Sequence, residues 1–242
     1  MSHEKFNLVL ESSLMITPRV RQLSFVRADG QPLEYTSGQF ITLHLPYEGT
    51  ILRRSYSIAA MPGETVRIAA THVVDGRATR LLFAMQPGDQ VEATGPFGRF
   101  VLRDDPPSRY ILVATGTGVS PYRAMLPRLR DLLDGSNYSA TLLLGVRGPD
   151  ELLFGQDFID FAASQAGFEF VACYSRHMPE APGAHERPGY VQNTLRELIV
   201  DPERDIVYLC GNPDMIDAAV ADLKEKGFQN PRLRREKYVS SN

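Results

Sequence analysis

Up to about residue 104 the chain breaks into short apolar-rich segments separated by turn signals. Asn7–Leu14, Val20–Phe25, Gln39–Leu45, Arg54–Ile58, Val66–Val73 and Gln90–Ala93 read as strands. ADGQP, YEGT, MPGET and QPGD lie between them, and Gly, Pro, Asp and Asn clusters of this kind mark turns. One stretch, GRATRLLFAM (76–85), reads as a short helix. Closely spaced short strands predict an antiparallel β-barrel or sandwich. The barrel is preferred because it closes its own edges.

Beyond residue 108 the pattern changes to strand, helix, strand, helix. Candidate strands are Tyr110–Ala114, Ala140–Gly145, Phe168–Tyr174, Ile206–Cys210 and Leu233–Tyr238. Candidate helices are Pro121–Leu133, Gln156–Gln165, Val191–Ile199 and Pro213–Lys226. In the last helix Ile216, Ala219, Val220 and Leu223 fall at i, i+3, i+4 and i+7, one apolar face. Pro213 suits its first turn and Gly227 its end. Continuous apolar strands alternating with helices predict an α/β doubly wound parallel sheet. DDPPS (104–108) reads as the hinge, giving two domains, 1–103 and 104–242.

Composition narrows the function classes. The chain has 242 residues, 43% hydrophobic and 23% charged, which is ordinary for a globular protein that buries a core. A formal net charge of -3 argues against general nucleic-acid binding. Two cysteines, Cys173 and Cys210, cannot build a disulfide framework, a four-thiolate zinc site or an iron–sulfur cluster, so no metal is expected. MSHEKFNLVLE has no apolar signal core and no run approaches membrane-spanning length. A cytoplasmic monomer with no membrane or nucleic-acid partner is the expectation.

In a doubly wound sheet, ligands bind beyond the carboxyl ends of the strands, where the winding reverses. With strand order 3-2-1-4-5 that point falls between the first and fourth strands. The first strand ends in ATGTGVSPYRAML (114–126). Gly116 and Gly118 would let backbone N–H groups approach a ligand, Ser120 reads as an N-cap and Pro121 as the first helical residue. A strand, a glycine turn and a helix start attract phosphate. A plain tight turn is the alternative, since Pro121 stands where the usual fingerprint has a third glycine. The fourth strand ends in YLCGNPDM (208–215), where Cys210 would emerge at the crevice or serve as a small buried hydrophobe. Ser175 and Arg176 end the third strand and Arg147 the second. Such cations suit a dinucleotide 2′-phosphate; a solvated surface role is the alternative. No acid of the kind that selects NAD is obvious beside Ser175.

RRSYS (53–57) is the odd segment, with two cations, two hydroxyls and a phenol between apolar stretches. It resembles the R-x-Y-S flavin motif of the ferredoxin–NADP reductase family, with Arg54, Tyr56 and Ser57 matching by position. GTGVSP (116–121) is similar to the family's nicotinamide-dinucleotide loop, CGNPDM (210–215) to its C-G-N-P-x-M motif, and GPFG (95–98) to the segment closing the flavin barrel. In order and spacing these blocks cover nearly the whole chain.

The resemblance implies an FAD-dependent reductase. Arg54 would neutralise the flavin pyrophosphate, Tyr56 would lie on the isoalloxazine, and Ser55 and Ser57 would be in cofactor contact, Ser57 near the reactive nitrogen. Thr71, His72 and Val73 would line the flavin side chain, with an ordinary barrel histidine the alternative for His72. Gly76, Arg77, Ala78 and Thr79 would bind pyrophosphate at a helix start. Gly116, Thr117, Gly118, Arg147, Ser175, Arg176, Gly211, Asp214 and Met215 would hold NADPH. Its nicotinamide would meet the flavin, with Ser57, Cys210, Glu236 and Tyr238 around the reacting rings. Tyr238 would be the aromatic that covers the flavin, although Val239–Asn242 follow it here. Electrons would then leave singly to a separate ferredoxin or flavodoxin, docked through Arg53, Arg99, Arg232, Arg234 and Arg235, with a solvated strand edge the alternative for Arg232–Arg235. Two alternatives stand: a reductase of diffusible flavin, and a non-enzymatic nucleotide sensor. A fused oxygenase reductase is disfavoured by the lack of a cysteine cluster.

Overall fold

The computed structural model describes residues 5–239 except 62, 64, 104–108 and 135–136; the expected hinge DDPPS lies outside the described residues. Internal contacts divide the chain into residues up to 102 with 120–125, and residues 103–119 with 126–239.

The first unit holds β1 (Lys5–Thr17), β2 (Val20–Arg27), β3 (Phe40–Tyr47), β4 (Thr50–Ser57), β5 (Val66–Thr71), α1 (Arg77–Ala84) and β6 (Gln90–Phe97). The strands pair antiparallel in the order β4-β3-β6-β1-β2-β5. Just past β4, Ala59 donates its N–H to the Arg67 carbonyl of β5 at 2.7 Å, which draws the outer strands together and closes the barrel. In β1 the buried residues Phe6, Leu8 and Leu10 alternate with exposed or half-buried ones, as a strand with one apolar face requires. The alternation fails beyond the bulge between Leu10 and Ser12, since the extra residue shifts the face. Leu23, Phe25, Ile41, Leu43 and Ile68 complete the core, and α1 lays Ala78 and Leu82 against it.

The second unit is a parallel six-stranded sheet, β10-β9-β8-β7-β11-β12. Its elements are β7 (Arg109–Thr115), the part of α2 (Ser120–Leu133) from residue 126 on, β8 (Ser139–Val146), α3 (Gly155–Ser164), β9 (Phe168–Tyr174), β10 (Glu186–Pro188), α4 (Val191–Glu197), β11 (Asp205–Gly211), α5 (Pro213–Glu225) and β12 (Leu233–Lys237). The 3-2-1-4-5 order is present, with the three-residue β10 added beside β9. Both faces are buried, so β7 and β11 are apolar between their ends, over 110–114 and 206–210. Ile111, Val113, Val207 and Leu209 pack under α4 and α5, together with Ile216, Ala219, Val220 and Leu223. Where the strands start, the guanidinium of Arg109 grips the buried Asp205 carboxylate at 2.5 and 2.9 Å. The start of α2 differs from expectation. Val119 is the N-cap and Ser120 is already helical, with its Oγ buried and unbonded.

Candidate cofactor sites

The register of β4 against β3 sorts the RRSYS side chains. Arg54 lies opposite Leu43 and Tyr56 opposite Ile41, whereas Arg53 faces His44 and Ser55 faces Thr42. Alternation therefore places Arg54 and Tyr56 on one face and Arg53 and Ser55 on the other. Ser55 Oγ and Thr42 Oγ1 bond to each other at 3.0 Å. Ser55, expected in cofactor contact, thus lies on the face opposite to Arg54 and Tyr56. Tyr56 packs against the barrel core. Burial pushes its phenol up to about 12, against the opposing pull of the Arg54 cation. Ser57 ends the strand and is buried.

β5 ends at Thr71, so His72 and Val73 belong to the turn into α1 and not to the strand, as had been expected. His72 is exposed with its ring edge-on to Phe83 at 5.5 Å. Gly76 caps α1 without any side-chain bond and no acid occupies the first turn. Its N–H goes to Val73 O, and the first intrahelical bond runs from Arg80 N–H to Gly76 O, both at 3.0 Å. The N–H groups of Arg77, Ala78 and Thr79 thus have no acceptor within the helix. Thr79 Oγ1 folds back onto Gly76 O at 3.1 Å. A Cβ on Gly76 would lie 2.7 Å from that hydroxyl and 2.8 Å from Val73 Cβ, so the turn needs glycine. Arg77 and Arg80 sit over the Tyr47 ring at 5.9 and 5.5 Å. Three aimed N–H donors, a helix's positive end and two guanidinium groups are the donor set a pyrophosphate needs.

In the second unit, a cavity of about 660 Å³ opens where β7, β8, β9 and β11 end. Of the residues expected there, Gly116, Arg147, Ser175, Asp214 and Met215 line it; Thr117, Gly118, Arg176 and Gly211 are not on its wall. Gly116 has φ +52° and open space where a Cβ would be. Asn212 caps α5, its Oδ1 accepting from Asp214 N–H at 2.8 Å and Met215 N–H at 3.1 Å. Gly118 acts through the backbone: a Cβ there would stand 2.4 Å from Cys210 O. The size, the glycine wall and the strand-end position fit a dinucleotide.

Three features of this wall were not read from the sequence. Glu151 lines the cavity with its carboxylate on Arg147, at 2.9 and 3.0 Å, so an acid does stand near Ser175. Tyr190, 59% exposed, offers an aromatic face on the same wall. Cys173, not Cys210, lines the cavity. Cys210 is wholly buried; burial pushes its thiol far up, the Glu236 carboxylate adds to that, and a hydrogen bond with Tyr238 opposes it. It is a neutral thiol and does not emerge at the crevice. Glu236 pairs with Cys210 across β11 and β12, and Tyr238, just past the strand, donates its N–H to Gly211 O at 2.8 Å.

Comparison with known proteins decides what the two sites belong to. A model of an oxidoreductase FAD-binding domain matches residues 7–102, and one of an oxidoreductase NAD-binding domain matches 112–221. The ferredoxin–NADP reductase B of Sorangium cellulosum (strain So ce56) is 33% identical, over 97% of this chain and 98% of that protein. This chain belongs to the ferredoxin–NADP reductase family. It is a flavoprotein oxidoreductase that binds FAD and a nicotinamide dinucleotide and moves electrons between NAD(P)H and one-electron carriers. The reductase component of propane 2-monooxygenase from Rhodococcus jostii (strain RHA1) is 28% identical over 86% of this reductase, which spans only 56% of that relative. In structure, the Amycolatopsis cytochrome P450 reductase GcoB superposes with TM-score 0.86 at 27% identity, over 98% of this reductase and 71% of that chain. A Neisseria gonorrhoeae ferredoxin NADP+ reductase shares the fold, with TM-score 0.79 at 22% identity over 98% and 99% of the two chains.

Proposed function

We propose that this reductase draws on NADPH in preference to NADH and delivers single electrons to a separate, acidic ferredoxin or flavodoxin. Arg176 carries the reading. It is exposed at the end of β9, its guanidinium has no bonded partner among the described residues, and its N–H bonds Arg147 O at 2.9 Å. Arg176 is not itself on the cavity wall but directly follows Ser175, which is, and a guanidinium at that strand end suits the 2′-phosphate that only NADPH has. Ser175, also at that end, adds a hydroxyl on the cavity wall. Bound FAD supplies the exchange between a two-electron hydride and single electrons. The chain's own work is positional. Arg77–Thr79 hold pyrophosphate, Tyr56 offers its face to the ring system, and Gly116 with the Asn212-capped helix receives the dinucleotide. The FAD-binding part is placed at 1–103 and the NADP-binding part at 104–242, in keeping with the two matched models.

One observation favours NADH instead: Arg147 is already neutralised by Glu151. Steady-state kcat/KM for the two nucleotides separates the readings. A ratio of tenfold or more for NADPH, about 1.4 kcal/mol, supports the first; parity or an NADH preference sinks it.

For the carrier, the net charge of -3 requires local cations. Arg53, Arg99 and Arg235 are exposed. Arg232 instead braces Glu203 O at 2.8 Å, and Arg234 and Arg235 point to opposite faces of β12, so the expected cluster is split. Charge reversal at Arg53 and Arg99 should lower ferredoxin-linked turnover and flatten its salt dependence, because screening shortens from ~10 Å at 0.1 M to ~3 Å at 1 M salt. Ferricyanide reduction should hold. An unchanged salt slope removes these two residues from docking.

A further inference from the structure

The C-terminal end of α1 carries an anchor that the cofactor reading does not use. An eight-residue helix spans only about 12 Å, and helices this short do not persist alone in water. The last carbonyls of α1 form its negative end, and the helix has no basic residue in its own last turn. A guanidinium from another element fills that role. Arg21 of β2 donates from Nη1 to Leu82 O at 3.2 Å and to Phe83 O, and from Nη2 to Met85 O at 3.0 Å. The same Nη2 reaches Ser13 Oγ of β1 at 2.6 Å. One side chain thus satisfies three helix-end carbonyls and ties them to the β1–β2 hairpin. Its charge is also of the sign that the helix end favours.

We propose that Arg21 is a positioning residue for FAD: by clamping the C-terminal end of α1 it holds the Arg77–Thr79 N–H groups in the direction a pyrophosphate needs. The inference rests on the reading that this first turn receives the pyrophosphate. Arg21 itself touches no cofactor, since it sits at the far end of the helix. Its planar fork matters, because a lysine ammonium at the same place is a single point donor that cannot bridge three carbonyls and a hydroxyl.

The test compares two flavins on the full chain, stripped of flavin and retitrated by flavin fluorescence. FAD has the pyrophosphate and riboflavin lacks it. Arg21→Met should raise the dissociation constant for FAD roughly three- to tenfold and leave that for riboflavin unchanged, with Arg21→Lys falling between. Equal weakening of both flavins would mean general loosening of the barrel and would overturn the proposal, as would no change in either. The first-turn reading is tested separately by Arg77→Pro against Arg77→Ala. Proline at the first helical position removes only one N–H, and Gly76 at φ -70°, ψ 112° already has the extended backbone that a following proline requires. If Arg77→Pro weakens FAD beyond Arg77→Ala while Arg21→Met is silent, the first-turn reading stands and the Arg21 proposal falls. If neither variant distinguishes FAD from riboflavin, both fall. A loss in Arg21→Met with Arg77→Pro no worse than Arg77→Ala would detach Arg21 from the helix start and would also overturn it.

Discussion

Replacing Gly118 with alanine tests how the dinucleotide loop is built. An added Cβ would meet Cys210 O at 2.4 Å, Cys210 C at 2.7 Å and Gly211 Cα at 2.8 Å. All three are backbone atoms of β11 and its exit, so no side chain can swing aside. The 116–119 turn must retreat from the sheet by about 1 Å to reach ordinary contact. Overpacking of this kind costs roughly 1–3 kcal/mol. If the cost falls on the nucleotide-bound geometry, NADP(H) affinity drops roughly 5- to 150-fold. Gly116→Ala is the control. Its Cβ meets nothing within 4 Å, so only the strain of φ +52° is added, about 1–2 kcal/mol. Binding of NADP+, followed by difference absorbance of the flavin-loaded protein, should weaken in Gly118→Ala with flavin content unchanged. Full affinity in Gly118→Ala, with unaltered thermal stability, would refute the reasoning that close approach to β11 sets this loop.

Other outcomes follow from particular contacts. Arg176→Ala should raise KM for NADPH and leave KM for NADH nearly unchanged, whereas Glu151→Gln, by releasing Arg147, should lower KM for NADPH; steady-state kinetics with both nucleotides checks each. Asp205→Ala strands the Arg109 guanidinium beside a carboxylate site that is 2% exposed, and should cost about 3–5 kcal/mol in urea unfolding; a loss below about 1 kcal/mol contradicts it. The Tyr56 phenol is raised in the fold from 10.0 to about 12, so its contribution is complete below pH 10 and fades as pH climbs from about 10 to about 12. Tyr56→Phe should flatten that part of the alkaline unfolding profile of the flavin-free protein.

Much of this architecture is legible from the amino acids because simple rules agree locally. The buried parallel strands show themselves as unbroken apolar runs such as YILVA and IVYLC, since strands covered on both faces favour apolar residues at every position. Asn212-Pro213 announces a helix start and supplies one. Other features depend on contacts that no local pattern encodes. The β10 segment has no strand signal, because ERPG offers little strand propensity; it pairs with β9 where Glu186 is held by Tyr174 Oη at 2.7 Å and Gly183 N–H at 2.6 Å. The face occupied by Ser55 follows from the register with Thr42. Glu151 carries no local signal, because a 3-10 turn over Pro149–Glu151, not a helix, brings its carboxylate back to Arg147. Cys210 carries the motif, yet the sheet buries its thiol and gives the cavity wall to Cys173.

This reductase moves electrons between NAD(P)H and a one-electron carrier through FAD. The most direct measurement is anaerobic absorbance of the purified protein, first alone, then with one equivalent of NADPH, then with oxidised ferredoxin and cytochrome c as the final acceptor. The expected result is a yellow protein that releases only FAD on denaturation, bleaches with NADPH faster than with NADH, and reduces cytochrome c only when the ferredoxin is present. Recovery of FMN as the only flavin, or a flavin band that NADPH leaves untouched, would contradict it.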